Sequence, residues 1–135
     1  HIRRGDFCGT IHDVCSEKYY SRAIARMREL HPEVVFYVFT NDEEWTDAFL
    51  QKASDKINYV ILRGRSESNP ITDMQLMAEC QHAIISNSGF SFFPSFLTYS
   101  EHKHVIMPEV WFNGELKEKS RDIFHMPGWL QLPID

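Results

Sequence analysis

This chain of 135 residues has little cysteine, no excess of basic charge and no long apolar run. Each shortage removes a class of function. The three cysteines, Cys8, Cys15 and Cys80, are odd in number and form no CxxC pair, which argues against a disulfide scaffold or a zinc–cysteine module. Free thiols are expected in preference to a Cys8–Cys15 bridge. With 14 Lys+Arg against 19 Asp+Glu the formal net charge is −5, so the broad basic face that grips a nucleic-acid backbone is missing and nucleic acid is not an expected partner. No stretch approaches the ~20 apolar residues of a membrane span. No signal peptide, internal repeat or low-complexity tract is visible either. His102 and His104 make an H-x-H on a strand edge, half of a metal site. No neighbouring cysteine or third histidine completes it in the sequence, so no metal is expected.

What is present is an ordinary globular composition, 43% hydrophobic and 13% aromatic. A chain of this length makes one domain that buries about two thirds of its surface. Residues 17–31 carry Tyr20, Ile24, Met27 and Leu30 at three- and four-residue intervals, an amphipathic helix that Pro32 ends. The run Val34-Val35-Phe36-Tyr37-Val38-Phe39 is apolar throughout, the mark of a strand covered on both faces. Thr40-Asn41-Asp42-Glu43 reads as a capping box for a helix carrying Trp45, Ala48 and Phe49. Residues 58–62 form a further strand, 63–72 a loop, 72–82 a helix, 83–86 a strand, 88–99 a helix complicated by Pro94, and 104–107 the last strand. Phe90, Phe92, Phe93 and Phe96 read as core. Residues 111–135 show no clear period and are expected to pack as an irregular or short helical tail. Alternating strands and helices predict an α/β fold: a Rossmann-like three-layer α/β/α sandwich with a mostly parallel sheet.

In open α/β sheets ligands bind beyond the carboxyl ends of the strands. The residues that follow each strand are therefore the candidates. His1-Ile2-Arg3-Arg4-Gly5-Asp6 would follow a first strand lying upstream of His1. Asn41-Asp42, Arg63-Gly64-Arg65, Asn87-Ser88-Gly89 and Pro108-Glu109 follow the others. Adjacent guanidiniums match phosphate oxygens with a rigid fork of donors. Ser88-Gly89 opens a helix, whose free N–H groups and positive dipole end favour an anion. Together they point to a pyrophosphate. Asp73 shares a helical face with Met77 and Cys80, so its carboxylate faces the protein or a cleft. Two readings stand: a first-turn acid complementing the helix dipole, or an acceptor for the paired N–H groups of a guanine. Asn41-Asp42 likewise reads as a helix cap or as part of the site.

In combination these residues resemble the α-1,2-fucosyltransferases of glycosyltransferase family 11. The family's H-x-R-R-G-D-Y motif corresponds to His1-Ile2-Arg3-Arg4-Gly5-Asp6-Phe7. Its F-Y-V-F-S-D-D segment and following Trp correspond to Phe36-Tyr37-Val38-Phe39-Thr40-Asn41-Asp42 and Trp45. Its D-x-x-L-M-x-x-C-x-H-x-I-I-x-N-S signature is met at every fixed position from Asp73 to Ser88. The resemblance covers residues 1 to about 113.

The resemblance implies one half of a two-Rossmann, GT-B type glycosyltransferase, with residues 1–135 as the donor domain and an N-terminal acceptor domain outside this chain. It implies inverting, metal-independent transfer of fucose from GDP-fucose to the 2-hydroxyl of a galactose-terminated glycan, with no cofactor beyond the donor. Arg3 would hold the β-phosphate and, with Asp6, form the catalytic pair; Asp6 would orient the arginines or take the acceptor proton. Ser88 would add a donor to the phosphate, and His1 and Asp73 would contact guanine. Arg4 and Asn87 complete the donor-binding set. A bacterial-type cytoplasmic location, peripheral to the inner membrane face, follows from the same resemblance. The isolated chain would bind nucleotide without transferring fucose. Another GDP-sugar transferase, or a nucleotide-binding module without turnover, are the alternatives. The chain departs from the family's N-S-[ST]-F-S-W-W-G-A at Gly89, which lacks the hydroxyl, at Phe92, Phe93 and Ser95, and at Pro94, which replaces a glycine.

Overall fold

The computed structural model describes residues 1–52, 57–64 and 69–135. Strands and helices alternate: α1 (Glu17–Leu30), β1 (Val35–Val38), α2 (Glu43–Gln51), β2 (Asn58–Ile61), α3 (Pro70–Glu79), β3 (Ala83–Ile84), α4 (Gly89–Leu97), β4 (Val105–Pro108), α5 (Lys117–Ile123) and β5 (Leu130–Leu132). All strand pairs among the described residues are parallel, β1 with β2 and β3 with β4 with β5. Residues 1 and 2 lie between these two groups. The Ile2 amide donates to Phe39 O at 2.8 Å, and the His1 amino group donates to Ile84 O at 2.8 Å. Around that stitch a groove of about 950 Å³ opens between β1 and β3, lined by Met27, Phe36, Val38, Ala83 and Ile84.

Helix α1 begins where Ser16 accepts the Tyr19 amide at 3.2 Å and ends at His31, whose amide donates to Met27 O at 2.8 Å. Its buried face, Tyr19, Tyr20, Ala23 and Met27, packs on β4 and β5. Strand β4 explains the layering. Ile106 belongs to a core formed with α1 and α2, whereas Val105 and Met107 belong to a second core with Ile85, Trp111 and Trp129. Successive strand residues point to opposite faces, so β4 is covered on both. Each of these burials contributes about 1.5–3 kcal/mol. The parallel α/β prediction therefore holds, but β1 is not covered on both faces as expected. Phe36 and Val38 face the core, whereas Val35 and Tyr37 are exposed because no described element packs on that side.

Several details depart from expectation. The tail holds the short helix that was expected, α5, with Trp111 stacked on Phe124 at 4.3 Å, but it also adds a strand, β5, that extends the sheet beside β4. Of the helix α4 phenylalanines only Phe92 packs into a core; Phe93 and Phe96 are exposed, as is Leu97. The cap of α2 is Asp42, which accepts the Trp45 amide at 3.1 Å, while Thr40 turns its hydroxyl to the Asp42 amide and to Thr46. Asn69 caps α3 ahead of Pro70, so that helix starts before residue 72 and ends at Glu79. The proline supplies a preset φ where no N–H is needed. The three cysteines are free. No described helix is long and apolar enough to cross a membrane.

Candidate functional site

The first candidate loop is tied to the one after β1. Gly5 turns at φ +40°, and a Cβ there would lie 2.7 Å from Asn41 Nδ2. That close approach lets Asn41 Oδ1 accept the Arg4 amide at 2.8 Å while Asn41 Nδ2 donates to Asp6 at 3.2 Å. Asp6 Oδ2 in turn accepts from Arg3 at 2.9 Å. Both Asp6 oxygens are thus occupied, and the Arg3 hydrogen bond holds its carboxyl below the usual range. A carboxylate so engaged is a poor proton acceptor and a good clamp. Asp6 positions Arg3.

Arg4 lies 4.1 Å over the Trp45 ring, with its Nε 3.6 Å from Asp42. Arg3 sits 5.3 Å from the Phe7 ring. Both guanidiniums are largely covered; the Nε of Arg3 makes no hydrogen bond within the protein, and that of Arg4 is ion-paired with Asp42. Each guanidinium is thus held by one carboxylate and one aromatic ring, Arg3 by Asp6 and Phe7 and Arg4 by Asp42 and Trp45, which fixes two positive charges on one loop. Sequence reasoning weighed Asn41 and Asp42 as caps or as part of the site; Asp42 is the cap of α2, and Asn41 instead ties Arg4 and Asp6 together.

The loop after β3 lies beside the first. His1 Nδ1 is 3.0 Å from Ser86 Oγ, and its ring lies 5.4 Å from that of Phe90. Ser88 opens α4, its hydroxyl accepting the Phe90 amide at 3.3 Å. The Asn87 side chain is spent on the protein: Nδ2 donates to His12 O and Trp111 O, at 3.0 and 2.9 Å, and Oδ1 faces the Cys15 thiol. It anchors the corner that presents Ser88 and does not itself reach outward. Burial pushes the Cys15 thiol up to about 12, so it stays protonated.

Asp73 is half-buried in the first turn of α3, a helix that packs against α4. Both helices start at the same edge of the sheet, so Asp73 and Ser88 share it. Arg63 is paired with Asp47 and Glu43 and covers α2, leaving it little freedom for a phosphate. Arg65 falls outside the described residues. Glu109 is held by Arg121. At the opposite edge, His102 is exposed beside Glu101, but His104 is joined by His31 and His82. The expectation that no third histidine stands near His104 is therefore corrected; its partners come from distant points in the sequence.

Comparison with known proteins gives the family of the chain. The model of the glycosyl transferase family 11 matches residues 1–132. The O-antigen biosynthesis glycosyltransferase WbnK of Escherichia coli is 31% identical over 98% of this chain and 43% of its own length. An alpha-1,2-colitosyltransferase of Escherichia coli is 32% identical over 85% of the chain and 41% of its own. The galactoside alpha-(1,2)-fucosyltransferase 2 of Bos taurus is 21% identical over the whole chain and 40% of its own length. The chain thus spans about two fifths of these relatives. No solved structure matches it.

Proposed function

We propose a function from one premise: the chain belongs to glycosyl transferase family 11. It is the donor-binding half of an inverting transferase that moves fucose from GDP-fucose to the 2-hydroxyl of a galactose ending a glycan. The carrying observation is the pair of fixed guanidiniums, Arg3 held by Asp6 and Arg4 by Asp42, on a loop whose His1 meets Ser86 and Phe90 at the start of α4. As the fucose C1–O bond breaks, negative charge gathers on the β-phosphate. Arg3, held by Asp6, neutralises it in a site fixed in advance, and such preorganised electrostatics is commonly the largest catalytic contribution. The Ser88 hydroxyl and the N–H groups opening α4 add donors. The acceptor O2 attacks the opposite face of C1, and its proton leaves to a base other than Asp6, both of whose oxygens are engaged. His1 and Asp73 flank the guanine.

A GT-B pair of Rossmann-like domains suits this reading, with a strand running into His1 to fill the groove between β1 and β3. The alternating bonds of residues 1 and 2 to Ile84 and Phe39 are what a central parallel strand makes. The facing domain orients the acceptor, and the enzyme works in the cytoplasm at the inner membrane face. Because arginines and a helix N-terminus supply the positive charge, the phosphate edge works without a metal.

Incubating the intact protein with GDP-fucose and a terminal galactoside, with EDTA present, should give product substituted at O2. The isolated 135 residues should bind GDP and transfer nothing, since alignment of the acceptor is worth ~7–11 kcal/mol. Transfer only from a GDP-colitose donor would redirect the sugar assignment to that of the second relative. Restoration by Mn²⁺ after loss in EDTA would overturn the metal-free step.

A further inference from the structure

We propose that His31, His82 and His104 form a binding site for a divalent transition-metal ion of the zinc class, at the edge of the sheet opposite the arginines. One ring nitrogen of each histidine lies within 4.8 Å of the other two. His31 Nε2 and His104 Nδ1 are 2.8 Å apart, so a single proton is shared between two lone pairs aimed at each other. The His31 and His82 rings stack with centroids 3.7 Å apart, and His82 and His104 centroids are 5.4 Å apart. One ring–ring hydrogen bond and one stack hold the three imidazoles together while neutral. They repel when protonated, which together with burial, the larger cause, holds His82 below the usual imidazole range.

The donor set selects the ion. Neutral imidazole nitrogens suit Zn²⁺, Cu²⁺ and Ni²⁺ and suit Mg²⁺ or Ca²⁺ poorly. A tetrahedral Zn²⁺ with bonds of ~2.0–2.1 Å asks for nitrogens about 3.4 Å apart. The His31–His104 pair has to open and the stacked His82 ring to turn so that all three nitrogens, already within 4.8 Å of one another, converge on the ion. The metal replaces the shared proton. The contact given up is the 2.8 Å bond between His31 and His104; with Nε2 of His82 as ligand, the 3.2 Å bond from the His104 amide to His82 Nδ1 is kept. His104 is exposed and the other two half-buried, which provides an entry path and a fourth position for water. Lys103, the neighbouring cation, is turned away to Thr98 and Ala78 O.

The fold also supplies a favourable field. His31 is the C-cap of α1, where the dipole's negative end and unpaired carbonyls attract a cation. His82 and His104 immediately precede β3 and β4. A bound ion would clip the end of α1 to two parallel strands, joining positions 73 residues apart at the extremes. Binding to the folded state alone stabilises it by mass action. The site is a strand's length, ~10–13 Å, from the phosphate edge, so the clip is structural and outside the transfer chemistry.

The test uses the intact protein, tag-free and stripped with chelator. Titration with Zn²⁺ alone in a calorimeter should show one ion per chain, raise the melting temperature, and Co²⁺ in its place should give the visible absorption of a tetrahedral site. His104→Ala should weaken binding at least about 100-fold, since even outer-shell losses cost 10–100-fold, and should abolish the melting shift. His31→Asn, a residue suited to a helix end, should do the same. GDP binding by both variants checks that they fold. His102→Ala, the exposed neighbour, should bind as the parent does. Absence of stoichiometric binding by the parent, or binding that survives both variants, or a loss equally caused by His102→Ala, would overturn the site.

Discussion

The two edges of this sheet are built from opposite chemistry. At the carboxyl ends of the strands stand fixed positive charges, Arg3 and Arg4, steadied by Asp6, Asn41 and Asp42 and faced by the N-terminus of α4. At the amino ends stand three imidazoles and the C-terminus of α1. The difference teaches how a parallel α/β fold sorts ligands. Every strand-to-helix corner presents N–H groups at one edge, and every helix-to-strand corner presents carbonyls at the other. Anions are favoured at the first and cations at the second before any side chain is chosen. The side chains then follow the backbone's polarity: guanidiniums to receive phosphate, lone pairs to receive a metal.

The sharpest break in that comparison is Arg3→Ala. A charge-assisted phosphate contact is worth roughly 1.5–3 kcal/mol, so GDP affinity should fall about ten- to 150-fold. Guanosine affinity should hardly change, because it has no phosphates, and Zn²⁺ binding at the far edge should be untouched. Arg4→Ala should cost less GDP affinity, since that guanidinium is spent partly on Trp45 and Asp42. Calorimetry with GDP, guanosine and Zn²⁺ separates these outcomes. An equal loss for guanosine and GDP would mean that the fold, and with it the independence of the two edges, had been damaged.

Gly5→Ala sharpens the same comparison through the backbone. At φ +40° an alanine is strained, and its Cβ would lie 2.7 Å from Asn41 Nδ2. Strain of this kind costs of order 1–3 kcal/mol. Asn41 would have to move and release both Arg4 and Asp6, so stability and GDP affinity should fall together. Thermal melting alongside GDP titration checks this; a melting loss with unchanged GDP affinity would detach Asn41 from the site.

Much of the anion edge was legible beforehand because its parts are local. Arg3, Arg4, Gly5 and Asp6 are adjacent, Ser88 follows a strand directly, and the apolar run ending at Phe39 announced a parallel strand, though not its one exposed face, where Val35 and Tyr37 meet solvent. What sequence reading missed is long-range or short. Asn41 meets Asp6 across 35 residues and His31 meets His104 across 73, distances at which spacing carries no signal. Strand β5 has three residues, too few to display a period. Helix α4 misled in another way: its buried face is made by Ser91, Pro94 and Ser95, small residues that give no apolar signal, while Phe92 is only partly buried and Phe93 and Phe96 are exposed. Asn87 was read as a ligand group from its position after β3. Its three protein partners come from elsewhere in the chain and were invisible there.

The smallest effect expected is a gain. Gly89 is the first residue of α4, next to Ser88 at the anion edge, where the family motif carries a hydroxyl. Its φ is not in the left-handed region, and an added Cβ would meet only the exposed ring of Phe93, at 3.5 Å. The position therefore accepts a side chain without strain. Gly89→Ser should relieve the helix of a glycine, worth a few tenths of a kcal/mol, and add one donor near the phosphate, worth ~0.5–1.5 kcal/mol. GDP should bind up to about tenfold more tightly, with melting slightly raised and Zn²⁺ affinity unchanged. Unaltered GDP affinity in the serine variant would place the phosphate out of reach of the first turn of α4, and would leave the arginines as the whole of the anion edge.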